Sequence, residues 1–229
     1  MARAGDELYN PVQQDRIIWR KTARDTDGEL LGVELFVSPG GGNPLHVHPR
    51  QEERFKAVSG SFGVQVRDER RWLTEGEEVI VPPGTPHRWW NDSDDEEAHV
   101  SVELRPALNS EVFFETLYGL ALDGKTDENG VPNLLQQAVT LHGINRGEIY
   151  LASPPVPVQK AILAALAPVG RLLGYRDHYQ RYSGALDQGA GGAEPPSTAS
   201  VVARGVILVG SLLVTSMLLL GRVRRRNKG

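Results

Sequence analysis

Apolar and polar positions alternate along the first half of the chain, which is the pattern of β-strands that bury one face. The clearest example is 98–105, where Val100, Val102 and Leu104 lie on one face and polar side chains take the other. Shorter segments repeat the pattern between turns rich in glycine and proline, so we predict a mainly β domain. The other segments that we predict as strands are 15–21, 29–37, 62–66 and 79–81.

Beyond residue 105 the apolar positions recur at the spacing of α-helices, so a helical extension, 106–182, is predicted. Its helices begin at Asn109 or Ser110 and end near Gly124, then cover 132–141 and 158–175. Apolar stripes of this kind usually cover a core, and the first two helices pack either on the outside of the β domain or across its open mouth. The third is nearly all apolar, so it packs on the β domain, pairs with another subunit or lies on a membrane surface.

The C-terminal segments differ from the rest in composition. Residues 183–200 read as a flexible linker because they are rich in glycine, serine, proline and alanine. Residues 201–221 contain seventeen consecutive uncharged positions, so we predict one transmembrane helix there. A basic tail, 222–229, follows. The expected localisation is a single-pass membrane protein with a C-terminal anchor, and we favour a cytoplasmic position for the β domain because no secretory signal opens the chain.

Composition narrows the functional classes. A chain of 229 residues accommodates one domain with appendages. Because it has no cysteine, disulfides, thiolate zinc sites and cysteine nucleophiles are excluded. The net charge is −4, and residues 201–229 hold six of the 25 basic residues and none of the 29 acidic ones. The remainder is therefore strongly acidic, which argues against nucleic acid as a partner.

Candidate chemistry lies in two stretches, 40–60 and 76–91. His46 and His48 are two residues apart, so on an extended strand both side chains leave the same face. Glu53 follows after a short loop and can return beside them, whereas His87 follows a proline-rich turn. Three imidazoles and one carboxylate suit a divalent first-row transition metal, and these residues alone leave Fe, Mn, Ni, Cu and Zn open.

The same stretches resemble the two motifs of the cupin superfamily, and the resemblance covers roughly residues 25–105. The first motif, G-x5-H-x-H-x(3,4)-E-x6-G, and the second, G-x5-P-x-G-x2-H-x3-N, are both complete. Two long motifs at a plausible separation make a specific signal. The positions that fill them are Gly40, His46, His48, Glu53 and Gly60, then Gly76, Pro82, Gly84, His87 and Asn91.

The resemblance implies a single cupin barrel, that is, a double-stranded β-helix or jelly roll, over 25–105, preceded by an arm and first strand over 1–24. Residues 1–14 of that arm are expected to be irregular. It also implies a single-domain metal-binding cupin of type 2, similar to relatives of quercetin dioxygenase, with His46, His48, Glu53 and His87 as ligands. Cupins often dimerise, so a homodimer is expected by resemblance.

The motifs indicate the function less directly than they indicate the fold. We expect a metal-dependent oxidoreductase of the dioxygenase type acting on a small organic molecule. A cupin that binds or senses a small molecule without turnover, and a metal-dependent isomerase, remain open. Periodicity predicts that Phe55, Phe62, Val64 and Trp89 line the substrate pocket. No catalytic acid or base is identified.

Overall fold

The fold is that of a computed structural model which describes residues 2–143, 148–183 and 197. In this part of the chain two antiparallel sheets hold eleven strands, and three α-helices follow the first ten of them, with the eleventh strand between the second and third helices. The mainly β, cupin-like architecture predicted from the motifs is confirmed. The strands are β1 Glu7–Asn10, β2 Asp15–Lys21, β3 Leu31–Val37, β4 His46–Val47, β5 Glu52–Ser59, β6 Phe62–Val66, β7 Glu69–Leu73, β8 Glu78–Val81, β9 His87–Trp90, β10 Ala98–Arg105 and β11 Tyr150–Leu151.

The larger sheet has the order β1-β2-β3-β10-β5-β8. β2 and β10 have the bounds predicted from alternation, because each presents every second side chain to the core. Strand β1 was not expected, since residues 1–14 were predicted to be irregular, and that prediction is wrong for Glu7–Asn10. This strand buries Leu8 opposite Ile17 of β2, and its four residues are too few to show a period.

The smaller sheet has the order β11-β4-β9-β6-β7 and faces the larger one across the main core. Side chains from both sheets meet there, among them Trp19 and Phe55 from one sheet and Phe62 and Val64 from the other. These four side chains are almost fully buried. Large apolar residues therefore fill much of the space between the two sheets.

The helices are α1 Ser110–Leu122, α2 Leu134–His142 and α3 Val156–Leu172, and all three begin within two residues of the predicted starts. Helix α2 starts where it does because the Asn133 side chain accepts hydrogen bonds from the backbone N–H groups of Leu135 and Gln136. α3 packs chiefly against α2, with Ala167 and Gly170 among its buried positions. Small residues there let the two helices approach closely.

The described helices do not bear out the predicted single-pass membrane architecture. A helix that crosses a bilayer needs about 20 predominantly apolar residues. The longest described helix, α3, has 17 residues and contains Lys160, Pro168 and Arg171. No helix within 2–143 and 148–183 is both long and apolar enough to cross a membrane. The fold class and the localisation that included an anchor are therefore wrong.

The segments on which that prediction depended are not part of the described structure. Residues 201–221, predicted as the transmembrane helix, and 222–229, predicted as a basic tail, lie outside the described residues. Of the predicted linker, 183–200, only residues 183 and 197 are described.

The extension is joined to the barrel through an added strand. β11 pairs antiparallel with β4, so that Tyr150 lies opposite Val47 and Leu151 opposite His46. The backbone N–H of Ala152 continues this ladder by donating to Leu45, at 3.0 Å. A segment from beyond the barrel motifs therefore covers the edge of the strand that carries the first histidine.

Candidate metal centre

Four side chains that the motifs single out converge between the two sheets. His46 on β4 lies directly opposite His87 on β9, and their ring centroids are 4.2 Å apart. His48 follows β4, and Glu53 comes from β5 of the facing sheet. One potential ligand atom from each residue lies within 4.8 Å of all the others, and all four side chains are buried. The structure thus brings together all four residues predicted as metal ligands.

Each imidazole is held by a backbone carbonyl on the nitrogen that faces away from the cluster. Nδ1 of His46 lies 3.0 Å from the carbonyl oxygen of Pro44, and Nδ1 of His87 lies 2.9 Å from that of Thr85. Nδ1 of His48 lies 3.1 Å from the carbonyl oxygen of Glu148. A carbonyl only accepts, so each Nδ1 carries a proton, and any ring that is neutral keeps a lone pair on Nε2. This is the arrangement that metal-ligating histidines require.

The charges of the cluster also fit a cation. Burial, and then the neighbouring imidazoles, hold the pKa of His46 well below its ordinary value, and burial lowers the pKa of His48. Burial alone would raise the pKa of Glu53, but the hydrogen bond from His87 and the nearby His48 lower it. Burial opposes charge on His87 too, yet its contact with Glu53, 2.6 Å between Nε2 and Oε2, raises its pKa. The site therefore offers one carboxylate and at least two neutral imidazoles.

Two other motif residues shape the backbone around these ligands. Gly60 has φ +72°, and a Cβ built there would lie 2.6 Å from the carbonyl oxygen of Glu97. Only glycine satisfies both the conformation and the close approach. The buried Asn91 amide donates to the carbonyl oxygens of Val37 and Glu96, at 2.8 and 2.7 Å. The motif asparagine thus fixes the loop that follows the strand of His87.

A cavity of about 140 Å³ opens beside the cluster, between the barrel interior and the helical extension. His46, His48 and Glu53 form part of its wall, and side chains of α1 and α2 form another part. Residues of the first two helices therefore contribute to the wall of this cavity. No lysine or arginine is among the described residues that line it. An apolar cavity with a few polar groups is the usual form of a small-molecule site.

The residues predicted to line the pocket divide into two pairs. Phe55 and Trp89 line the cavity. Phe62 and Val64 are fully buried in the core behind them, and the Phe62 ring centroid lies 5.6 Å from Phe55 and 6.2 Å from Trp89. The second pair therefore supports the wall, and contact of any of the four with a substrate stays a prediction.

Sequence reasoning missed the residues that support His48. Glu148 accepts its Nδ1–H through the main chain, and the Glu148 carboxylate accepts from the backbone N–H of Asn109, at 3.1 Å, beside the start of α1. Gln51 donates through Nε2 to the carbonyl oxygen of Pro106 and to the Ser110 hydroxyl, at 2.9 and 2.8 Å. No motif signals these contacts, because the partners are 39 to 100 residues apart in the chain.

Comparisons with known proteins agree with this geometry. The family model for the cupin domain matches residues 33–103. A protein of Hypocrea virens named as a probable oxidoreductase is 31% identical over 187 residues, which are 76% of this chain and 81% of that protein. An oxidoreductase of Arthrobotrys oligospora is 30% identical over 165 residues, 66% of this chain and 63% of that protein.

Among solved structures, an RmlC-like cupin from Shewanella frigidimarina has a TM-score of 0.41 and 21% identity. The match covers 47% of this chain and 89% of that one.

Proposed function

This chain belongs to the cupin superfamily, and from that premise we propose that it is a metal-dependent oxidoreductase acting on a small organic molecule. His46, His48, Glu53 and His87 would hold one divalent transition-metal ion, and the adjoining cavity would hold the substrate. The observation that carries the proposal is the convergence of these four buried side chains, with ligand atoms within 4.8 Å of one another, at the wall of a cavity.

Relatives support the redox class. The two fungal proteins that resemble this chain over most of its length are named as oxidoreductases. The finer proposal is a dioxygenase, in which both oxygen atoms of O₂ enter the product and the substrate supplies the electrons. Such a reaction needs no separate reductant, which agrees with a cavity of about 140 Å³ beside the ligands.

The residues of the chain would hold the metal ligands in position and shield the substrate from water. Carbonyl oxygens of Pro44, Thr85 and Glu148 fix the three imidazole rings, so their Nε2 atoms are oriented before any ion arrives. The apolar wall, which includes Phe55 and Trp89, excludes water from the substrate. When bound, the metal supplies Lewis-acid or redox chemistry at open coordination positions.

Two other functions fit the same residues. A metal-dependent isomerase would use the ion without redox change, and a binding or sensing protein would hold its ligand without turnover. The identity of the bound metal distinguishes the isomerase from the proposed oxidoreductase, because zinc has no redox chemistry. Product formation distinguishes the oxidoreductase from a binding or sensing protein, which would form none.

Elemental analysis of the full chain, purified without chelator or added metal, tests the proposal. The informative variants are His46→Ala and His87→Ala. The matched control is His99→Ala, since His99 also pairs with a glutamate, Glu34, but lies on β10 outside the cluster. We expect near-stoichiometric iron, manganese, nickel or copper in the unaltered protein and in the control, and its loss from both cluster variants.

Oxygen-electrode screens of small apolar substrates then follow on the loaded protein. Zinc at full occupancy would favour the isomerase. A folded protein that takes up no metal, even on titration, would refute the metal-dependent enzyme and leave the binding protein as the better account.

A further inference from the structure

Asn43 lies in the wall of the cavity, three residues before His46 in the chain. Strand β4 begins only at His46, and Pro44 has no backbone N–H, so the ladder between β4 and β9 is interrupted beside Asn43. The carbonyl oxygen of Pro44 faces Nδ1 of His46. The Asn43 side chain serves the neighbouring strand instead, because its Oδ1 accepts from the backbone N–H of Trp89, at 2.9 Å.

This contact fixes the direction in which the Asn43 amide faces. A backbone N–H only donates, so the atom beside it is the amide oxygen, and the NH₂ group takes the other position. The side chain is half-buried, and in the described part of the chain no acceptor takes either proton of Nδ2. Two donors at the cavity wall are therefore available to a bound molecule.

Strand register gives the separation between this amide and the metal-ligand cluster. His46 lies directly opposite His87, and Trp89 lies two residues further along β9. Two residues of an extended strand span roughly 7 Å. Asn43, Trp89 and His46 all line the same cavity. The amide and the ligand cluster therefore bound one cavity, about the width of a substituted six-membered ring apart.

The chemistry of the amide defines the group that it would bind. An NH₂ group donates and does not accept, so its partner must offer an acceptor such as a carbonyl oxygen. The described cavity wall includes no lysine or arginine, and moving an anion into an apolar site without a countercharge is costly. A neutral carbonyl group therefore suits this position better than a carboxylate or a phosphate.

We propose that Asn43 is a specificity-determining residue whose amide donates to a neutral carbonyl oxygen of the substrate. That oxygen lies across a single ring from the atom that faces the metal ligands. The proposal rests on the proposed function, because it names the substrate class of that site. The cavity volume of about 140 Å³ suits a single ring, since a cavity of roughly 150 Å³ holds benzene.

The variant Asn43→Asp separates recognition of the ligand from the structural role of the side chain. Aspartate keeps an oxygen that accepts from the Trp89 N–H, and this donation favours its ionised form at pH 8. It removes both donors and presents an acceptor in their place. The matched control is Asn133→Asp, because Oδ1 of Asn133 also accepts from backbone N–H groups, but Asn133 does not line the cavity.

Two nearly isosteric probes, 4-fluoroacetophenone and 4-fluoro-α-methylstyrene, carry a carbonyl oxygen and a methylene group at the same position. Fluorine NMR titration measures their affinities for the full chain stripped of metal with chelator. We expect Asn43→Asp to bind the ketone about 3- to 10-fold more weakly, as the loss of about one hydrogen bond implies. Its affinity for the alkene should stay within twofold, and Asn133→Asp should match the unaltered protein for both probes.

The metal-free titration keeps this proposal separate from the metal-dependent function. Failure here would leave the metal proposal standing, and absence of metal binding would leave this result standing.

A second measurement needs no variant and decides if Asn43→Asp does not fold. In the isotope-labelled full chain, hydrogen bonding to the ketone should shift the side-chain NH₂ protons of Asn43 downfield. The alkene should leave them near their position in the free protein. NH₂ resonances that respond to neither probe, or equally to both, would contradict the proposed contact.

Three results of the titration would overturn the proposal. In the first, Asn43→Asp weakens both probes equally, which would indicate a general packing defect. In the second, it changes the affinity for neither probe, which would leave the side chain with its contact to Trp89 alone. In the third, the unaltered protein binds neither probe at millimolar concentration.

Discussion

Burial of the Asp15 carboxyl predicts that the free energy of unfolding depends on pH. Burial raises its pKa from 3.8 to about 7, although the hydrogen bond from Tyr118 acts in the opposite direction. In the unfolded chain the group returns to its ordinary pKa, so the folded state binds the proton more tightly. Protonated Asp15 therefore stabilises the fold at low pH, and this stabilisation is lost as the pH rises towards 7.

The magnitude follows from the two pKa values. They differ by about 3, and each pH unit between them corresponds to about 1.36 kcal/mol, so the total is about 4 kcal/mol. Roughly two of these units lie between pH 5 and pH 7, which makes about 2.7 kcal/mol accessible in ordinary buffers. The perturbation is Asp15→Asn, because asparagine keeps the shape and an acceptor for Tyr118 but does not titrate in this range.

Urea unfolding of the unaltered chain and of Asp15→Asn, at half-unit steps from pH 5 to pH 8, measures the effect. The variant serves as its own reference for other groups, including Glu148, whose pKa is also raised to about 7 by burial. We expect the unaltered chain to lose about 2–3 kcal/mol relative to the variant between pH 5 and pH 8. A difference that is constant within about 0.5 kcal/mol, or one of opposite sign, would refute the reasoning.

Two further predictions concern the backbone and the support of the site. Gly60→Ala should destabilise the fold by about 2–4 kcal/mol, because its Cβ would collide with Glu97 at positive φ. Gly76→Ala should cost only about 1 kcal/mol, since its φ is also positive but no atom lies within 4 Å. If denaturant unfolding showed the same loss of unfolding free energy in Gly60→Ala and Gly76→Ala, the predicted collision at Gly60 would be contradicted. Gln51→Ala should cost about 1–3 kcal/mol because three acceptors near the start of α1 lose their donor. In Gln65→Ala the loss should be smaller, about 1 kcal/mol or less, because its hydrogen bond to the carbonyl oxygen of Arg67 is exposed and the one it accepts from Arg88 is only part-buried. Similar losses in both variants would be evidence against the supporting role of Gln51.

Local periodicity predicted the individual strands, whereas the resemblance to the two cupin motifs implied the barrel and the four-residue ligand cluster. β10 was predicted with its observed bounds, since eight alternating residues are enough to define a period. His46 and His48 could be placed on one face from spacing alone, and the turn before His87 from its prolines and glycine. These are short-range features, in which neighbouring residues determine the geometry.

The remaining features depend on contacts between residues distant in the chain. Asp15 was placed at the start of a strand, but its partner Tyr118 is 103 residues away and on an element of different type. β1 is too short for alternation to be seen, and it is stabilised by pairing with β2. The membrane anchor was predicted from hydropathy, length, the preceding linker and the basic tail, which are all local features that carry no information on tertiary contacts.

The contacts of the helical extension argue that it belongs to the site rather than to a separate module. β11 covers the strand of His46, the Glu148 carbonyl oxygen orients His48, and α1 supplies both the cavity wall and the partner of Asp15. The change of period at residue 106 therefore marks a change of secondary structure within one cooperative arrangement. On the proposed function, the barrel motifs would determine which atoms face a metal ion, and the extension would determine which molecules reach it. We therefore expect substrate specificity among proteins that share these motifs to depend on the helices. Substitutions in the helices would change the shape of the cavity without altering the metal ligands.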